Sequence, residues 1–124
     1  MPDVTFPVRR NGGVPVVETP AAIDITNASQ FREALLDALA RSRNEQGAGR
    51  VVVDMSRTEF CDSAGLHVLV AVHKRARADG GEVRLVMPGP NVLRVFAISG
   101  LDRVIPCHHS LSQALGQLTP EPGA

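Results

Sequence analysis

The chain has 124 residues, of which 44% are hydrophobic and 3% aromatic, with no Trp or Tyr and with 13 basic and 13 acidic side chains. Zero formal net charge and scarce aromatic rings argue against nucleic acid as the main partner, which needs a basic surface and, for single strands, stacking platforms. No apolar run reaches the roughly 20 residues of a membrane span, and Met1-Pro2-Asp3 lacks a signal-peptide layout. The expectation is therefore a cytoplasmic globular domain cored by Val, Leu, Ile and Ala, with Cys61 and Cys107 reduced.

Val4-Thr5-Phe6-Pro7-Val8 reads as a short edge strand, where the missing N–H of Pro is tolerated. Asn11-Gly12-Gly13 is a turn, because these residues take positive φ readily, and Val14 to Thr19 is the return strand of a hairpin. Pro20 to Asn27 is a loop into a helix, with Thr26 or Asn27 available as its cap. Ala28, Phe31, Leu35, Ala38 and Leu39 recur at helical spacing, with Gln30, Arg32, Glu33, Asp37 and Arg41 opposite, as in a helix lying on a sheet. Asn44 to Arg50 is polar and contains two glycines, and reads as a mobile loop. Val51-Val52-Val53 lacks alternation, the pattern of a strand covered on both faces. A strongly apolar helix follows from about Ser63 to Asp79. Its end is marked by Lys74, Arg75 and Arg77 and by Gly80-Gly81.

Glu82 to Val86 is a strand and Pro88 to Pro90 a turn. Val92 to Ile98 is a short helix stopped at Ser99-Gly100, and Val104-Ile105 is a brief last strand. Ser110-Leu111-Ser112-Gln113 has the form of a capping box opening a helix that carries Leu111, Ala114, Leu115 and Leu118. The order β-β-α-β-α-β-α-β-α predicts one α/β domain over residues 1–118. Its four- to five-stranded, mostly parallel sheet has an antiparallel N-terminal hairpin edge and about four packed helices. The Pro/Gly-rich segment 119–124 is expected to be a disordered tail.

Chemistry concentrates at Phe60-Cys61-Asp62-Ser63-Ala64-Gly65-Leu66, between the valine strand and the apolar helix. A helix start offers unpaired N–H groups and a positive dipole end. Ser63 there is either a plain N-cap or a site for a phosphate. Asp62 either stabilises the helix start by its charge or meets a partner, and Asp24 is either an ordinary loop carboxylate or a partner contact. Gly65 disfavours helix by propensity, so it serves close approach by a partner or tight helix packing. A nucleophile elbow, Gly-x-Ser-x-Gly, would need Gly where Cys61 stands, and none of His67, His73, His108 and His109 has an acidic partner by spacing. Cys107-His108-His109 with Cys61 lacks paired metal-ligand spacing.

The run Val52-Val53-Asp54-Met55-Ser56 to Phe60-Cys61-Asp62-Ser63-Ala64-Gly65-Leu66 resembles the signature of STAS domains and, more narrowly, of bacterial anti-sigma factor antagonists. Ala22-Ile23-Asp24-Ile25-Thr26-Asn27-Ala28 resembles that family's acidic loop before the first helix. Val95-Phe96-Ala97-Ile98-Ser99-Gly100-Leu101 is similar to its late helix and turn. These matches span about Val14 to Leu115. Two positions depart from the pattern. Ala64 stands where many relatives carry a second Ser or Thr, and the acidic loop begins Ala21-Ala22 in place of Gly-Glu, with Asp24 retained.

The resemblance implies a STAS-type fold and a partner switch. The unmodified antagonist binds an anti-sigma factor, often itself a serine kinase, and so frees a sigma factor. Phosphorylation of Ser63 dissolves the complex and a phosphatase resets it. The implied contact residues are Asp24, Thr26, Asn27, Asp62, Ser63, Ala64 and Gly65, with no catalytic residue, metal, cofactor, nucleic acid or membrane partner. The chain carries no Gly-x-x-x-x-Gly-Lys-Ser/Thr loop, so ATP and magnesium belong to the kinase. A phosphorylation-independent STAS scaffold is the alternative reading, and a serine hydrolase a remote one.

Overall fold

The computed structural model describes residues 6–44 and 48–118. Strands β1 (Val8–Asn11) and β2 (Val14–Glu18) form the expected antiparallel hairpin. Gly12 and Gly13 turn it with φ of 61° and 86°, a pairing that glycine takes without strain. The edge strand begins later than the Val4–Val8 expected. The two-residue turn fixes Asn11 opposite Val14, so the ladder counts back from there to Val8. Pro7, with no N–H to give, ends it, although its carbonyl still accepts from the Glu18 N–H at 2.8 Å. Val4 and Thr5 lie outside the described residues, as do residues 45–47 of the Asn44–Arg50 loop and the 119–124 tail.

The chain continues through β3 (Ala22–Ile23), α1 (Ala28–Asn44), β4 (Arg50–Asp54), β5 (Phe60–Cys61) and α2 (Ser63–Ala78). It ends with β6 (Glu82–Val86), α3 (Pro90–Ser99), α4 (Leu101–Val104), β7 (Cys107–His108) and α5 (Leu111–Leu118). The main sheet has five strands in the order β1-β2-β4-β6-β7, with every pair beyond the hairpin parallel. This is the mixed α/β architecture that the alternation of strands and helices predicts.

Two regions depart from the sequence reading. A separate two-stranded parallel ladder joins β3, inside the segment that reads as a loop, to β5, in the stretch between the valine strand and the apolar helix where the sequence predicts no strand. The last strand is Cys107–His108, not Val104-Ile105, which instead closes the single-turn helix α4. Gly100, in the left-handed region at φ 81°, ends α3 and lets the chain re-enter a helix at once. Pro106 then presents only its carbonyl, which accepts from the Leu85 N–H at 2.9 Å, so the strand starts after it.

The valine run of β4 serves both faces of the sheet. Val51 and Val53 join Val17, Val83 and Leu85 under the α1 and α2 side chains Phe31, Leu35, Leu69 and Val72. Val52 joins Val14, Val16 and Val86 beneath Ala114 of α5. All three β4 valines are fully buried, as a parallel sheet covered on both sides requires. Beyond the C-terminal ends of β2 and β4 the chain is held by Thr19, whose N–H donates to the Asp54 carbonyl at 3.1 Å and whose hydroxyl bonds that of Thr58. That end of the sheet carries the β3–β5 ladder and the start of α2, where the sequence concentrates its candidate residues.

Candidate functional site

Asp62, not Ser63, is the N-cap of α2. Its backbone is extended (φ −87°, ψ −175°), and its Oδ1 accepts from the N–H groups of Ala64 at 2.9 Å and Gly65 at 3.2 Å. Its Oδ2 accepts from the Ile25 N–H at 3.1 Å, so one carboxylate stitches the α2 start to the loop between β3 and α1. Ser63 is thereby released from capping. It occupies the first helical position, is exposed, and its hydroxyl has no hydrogen-bond partner among the described residues.

The loop facing it is held by its own side chains. Asp24 Oδ1 accepts from the Thr26 N–H at 2.9 Å and from the Thr26 hydroxyl. These bonds, the hydroxyl first, hold the Asp24 carboxyl below its ordinary range. Asn27 does not use its side chain to cap α1. Its Oδ1 accepts from the Asp24 N–H and its Nδ2 donates to the Ala22 carbonyl, both at 3.0 Å. The structure thus brings together Asp24, Thr26, Asn27, Asp62, Ser63 and Ala64 around two abutting turns, joined across the ladder by Asp62 N–H donation to the Ile23 carbonyl at 3.0 Å.

Gly65 is buried, and packing accounts for it. A Cβ there would lie 2.6 Å from Cys61 Sγ and 2.8 Å from Ile23 Cγ2. Burial, with a smaller push from the Asp62 charge, raises the Cys61 thiol to about 12, so this sulfur is a packing atom and a poor nucleophile. Among the described residues, no group of three His, Cys, Asp or Glu side chains is placed to hold a metal ion. No described helix is long and apolar enough to cross a membrane.

Residues 5–114 match the STAS domain family. The chain belongs to this family. The STAS chain is 35% identical to BtrV of Bordetella bronchiseptica, a candidate anti-sigma factor antagonist, over 92 residues covering 74% of this chain and 75% of that one. It is 27% identical to the anti-sigma F factor antagonist of Paenibacillus polymyxa over 106 residues, 86% of this chain and 87% of the relative. The crystal structure of an anti-sigma factor antagonist from Mycobacterium paratuberculosis superposes with a TM-score of 0.79 at 29% identity, covering 92% of both chains.

Sequence reasoning missed the apolar surface around the turn of this STAS domain. Ile25 is 79% exposed, Phe60 53% and Ile98 80%. Ile25 sits directly on the Asp62 carboxylate, and Phe60 stands two residues before it. A groove of about 320 Å³ runs from Ser63 along Leu66 and Val70 to Leu101 and Val104. A more open one of about 540 Å³ lies on the other side of Ser63, towards Ala28, Ser29 and Arg32. Ser63 therefore stands on the ridge between two grooves. The sequence signal was present: Ile25 stands between the polar Asp24 and Thr26, and Ile98 falls off the buried Val92–Phe96 face of α3.

Proposed function

We propose that this STAS domain binds an anti-sigma factor of the serine-kinase type, frees the sigma factor that partner holds, and is switched off by phosphorylation of Ser63. The observation that carries the reading is the division of labour at the α2 start. Asp62 does the capping, and the adjacent hydroxyl is left exposed, with no hydrogen-bond partner among the described residues. The names of the relatives supply the partner class, and the exposed Ile25 and Phe60 beside the turn supply apolar area for contact. Asp24, Thr26, Asn27, Asp62 and Ala64 complete the docking surface, with Gly65 acting from beneath by letting α2 pack close.

A phosphate adds about −1.5 to −2 charges at neutral pH. Set on a surface that must be desolvated to dock, and one residue from the Asp62 carboxylate, it opposes binding through solvation and through repulsion. The kinase contributes ATP and magnesium, and this chain contributes the acceptor hydroxyl. His67, one turn on from Ser63, pairs with no carboxylate among the described residues, so the arrangement favours a modified regulator over an acyl-transfer enzyme.

Ser63→Ala and Ser63→Glu test the switch with the anti-sigma factor in a titration. The alanine variant is expected to bind as tightly as the unmodified chain even with ATP present, and the glutamate variant at least tenfold more weakly. Equal binding by both variants would establish a phosphorylation-independent scaffold instead.

A further inference from the structure

We propose that the phosphate on Ser63 is clasped within the chain by Arg32 of α1 and His67 of α2, which draw it into the groove between the two helices. This rests on the reading of Ser63 as the phosphoacceptor and names how its modified state is held. Ser63, Arg32, His67 and Ser29 line the same open cavity of about 540 Å³. Ser63 and His67 are four residues apart on α2, and Ser29 and Arg32 three apart on α1. At these spacings side chains on one helix are neighbours, so two pairs face each other across the groove.

The charges on the two sides of Ser63 differ. On the loop side, Asp62 commits both carboxylate oxygens to the N–H groups of Ala64, Gly65 and Ile25. The backbone donors that a helix start would offer an anion are therefore occupied by an anion already. Asp24 adds a second carboxylate there. On the groove side stands Arg32, which makes no ion pair among the described residues. Three other arginines of the two helices are matched, Arg41 with Asp37 and both Arg43 and Arg75 with Asp79. Arg77, which has no ion pair among the described residues, lies in the last turn of α2, far from Ser63. A guanidinium stays charged and presents a planar fork that fits phosphate oxygens. His67 adds a ring N–H donor from the next turn. A dianion on Ser63 is repelled from the loop and attracted across the groove, so the phosphorylated protein both carries charge on its docking face and fills one of the two concavities beside it.

The clasp is tested on the full chain with phosphoserine installed at position 63 during translation, which needs no kinase. Phosphorus NMR then follows the second ionisation of the phosphate, which lies near about 6 in an unrestrained phosphoserine. A facing cation is expected to lower it by about one unit. Arg32→Gln should return at least half of that shift and His67→Asn part of it, whereas Arg41→Gln, at the far end of α1 and already paired, should return none. Arg32, His67 and Arg41 are all exposed, so the variants keep the fold, and circular dichroism verifies that. An identical titration in the phosphorylated wild type and Arg32→Gln, or an equal loss of shift in Arg41→Gln, would overturn the clasp. Failure of a kinase to modify the unphosphorylated chain would count against the acceptor role alone, and the installed phosphoserine keeps the two failures apart.

Discussion

Asp62 accomplishes with one side chain what sequence logic divides among several. The order Asp-Ser at a helix start makes either residue a plausible cap. The choice is made by the extended backbone of Asp62 and by the Ile25 N–H that its second oxygen receives, a contact 37 residues distant in sequence and so invisible to any local pattern. Gly65 illustrates the same limit: its propensity penalty is legible, but the reason for it lies beneath, in Cys61 and Ile23. Gly65→Ala is expected to lose about 1–3 kcal/mol by overpacking, measured as a lower urea midpoint. Removing the sulfur in Cys61→Ala should make the two substitutions together cost less than their sum. Strict additivity of the pair would show that the close contact at 2.6 Å does not govern the site.

Among the elements, the long ones were readable and the two-residue ones were not. The Phe31–Leu35–Ala38–Leu39 stripe of α1 and the apolar body of α2 are buried as their spacing predicts. The β3 and β5 strands are too short to show a period, and they exist because backbone groups past the sheet end need partners, as in Glu59 N–H donation to the Ala21 carbonyl at 2.8 Å. His73 ties α2 to β6. Its Nδ1 accepts from the Val83 N–H of β6 at 3.4 Å. With Nδ1 as acceptor the ring is neutral and carries its proton on Nε2. Burial chiefly, then the charges of Arg77 and Arg84 against the opposing pull of Glu82, hold His73 below its ordinary value. The unfolded chain therefore takes up this proton first as pH falls. Stability is full above about 6.5 and declines as pH drops below it towards the folded-state value. His108 is shifted the same way by burial and Arg84, so His73→Gln is expected to reduce the slope of the urea midpoint between pH 7 and 5 without abolishing it. An unchanged slope would remove His73 from the linkage.

For the whole molecule, topology was the most legible feature, because strands alternating with helices leave few handed arrangements and an unbroken valine run demands cover on both faces. The architecture also decides how far a change at Ser63 can reach. The sheet is clamped between α1 and α2 on one face and α5 on the other, whereas the Ser63 turn stands beyond the strand ends and gives its hydroxyl to no hydrogen bond among the described residues. Nothing in either core layer has to move when that oxygen gains a charge, and the cap that starts α2 belongs to its neighbour. Ser63→Glu and the phosphoserine protein are therefore expected to keep the far-ultraviolet circular dichroism of the wild type, with Ser63→Glu within about 0.5 kcal/mol of its stability, as for other surface changes. The phosphoserine protein should be no less stable, gaining about 1 kcal/mol at neutral pH where the clasp lowers the second ionisation by about one unit. Hydrogen exchange should remain slow in β2, β4 and β6 in both, because these strands carry the buried valines. A loss of protection in those strands, or a fall in midpoint as large as that of Gly65→Ala, would mean that the modification acts by loosening the fold. With the strands unchanged and the anti-sigma factor no longer bound, the switch lies at the surface, in the charge carried by one exposed serine beside a cap already occupied by Asp62.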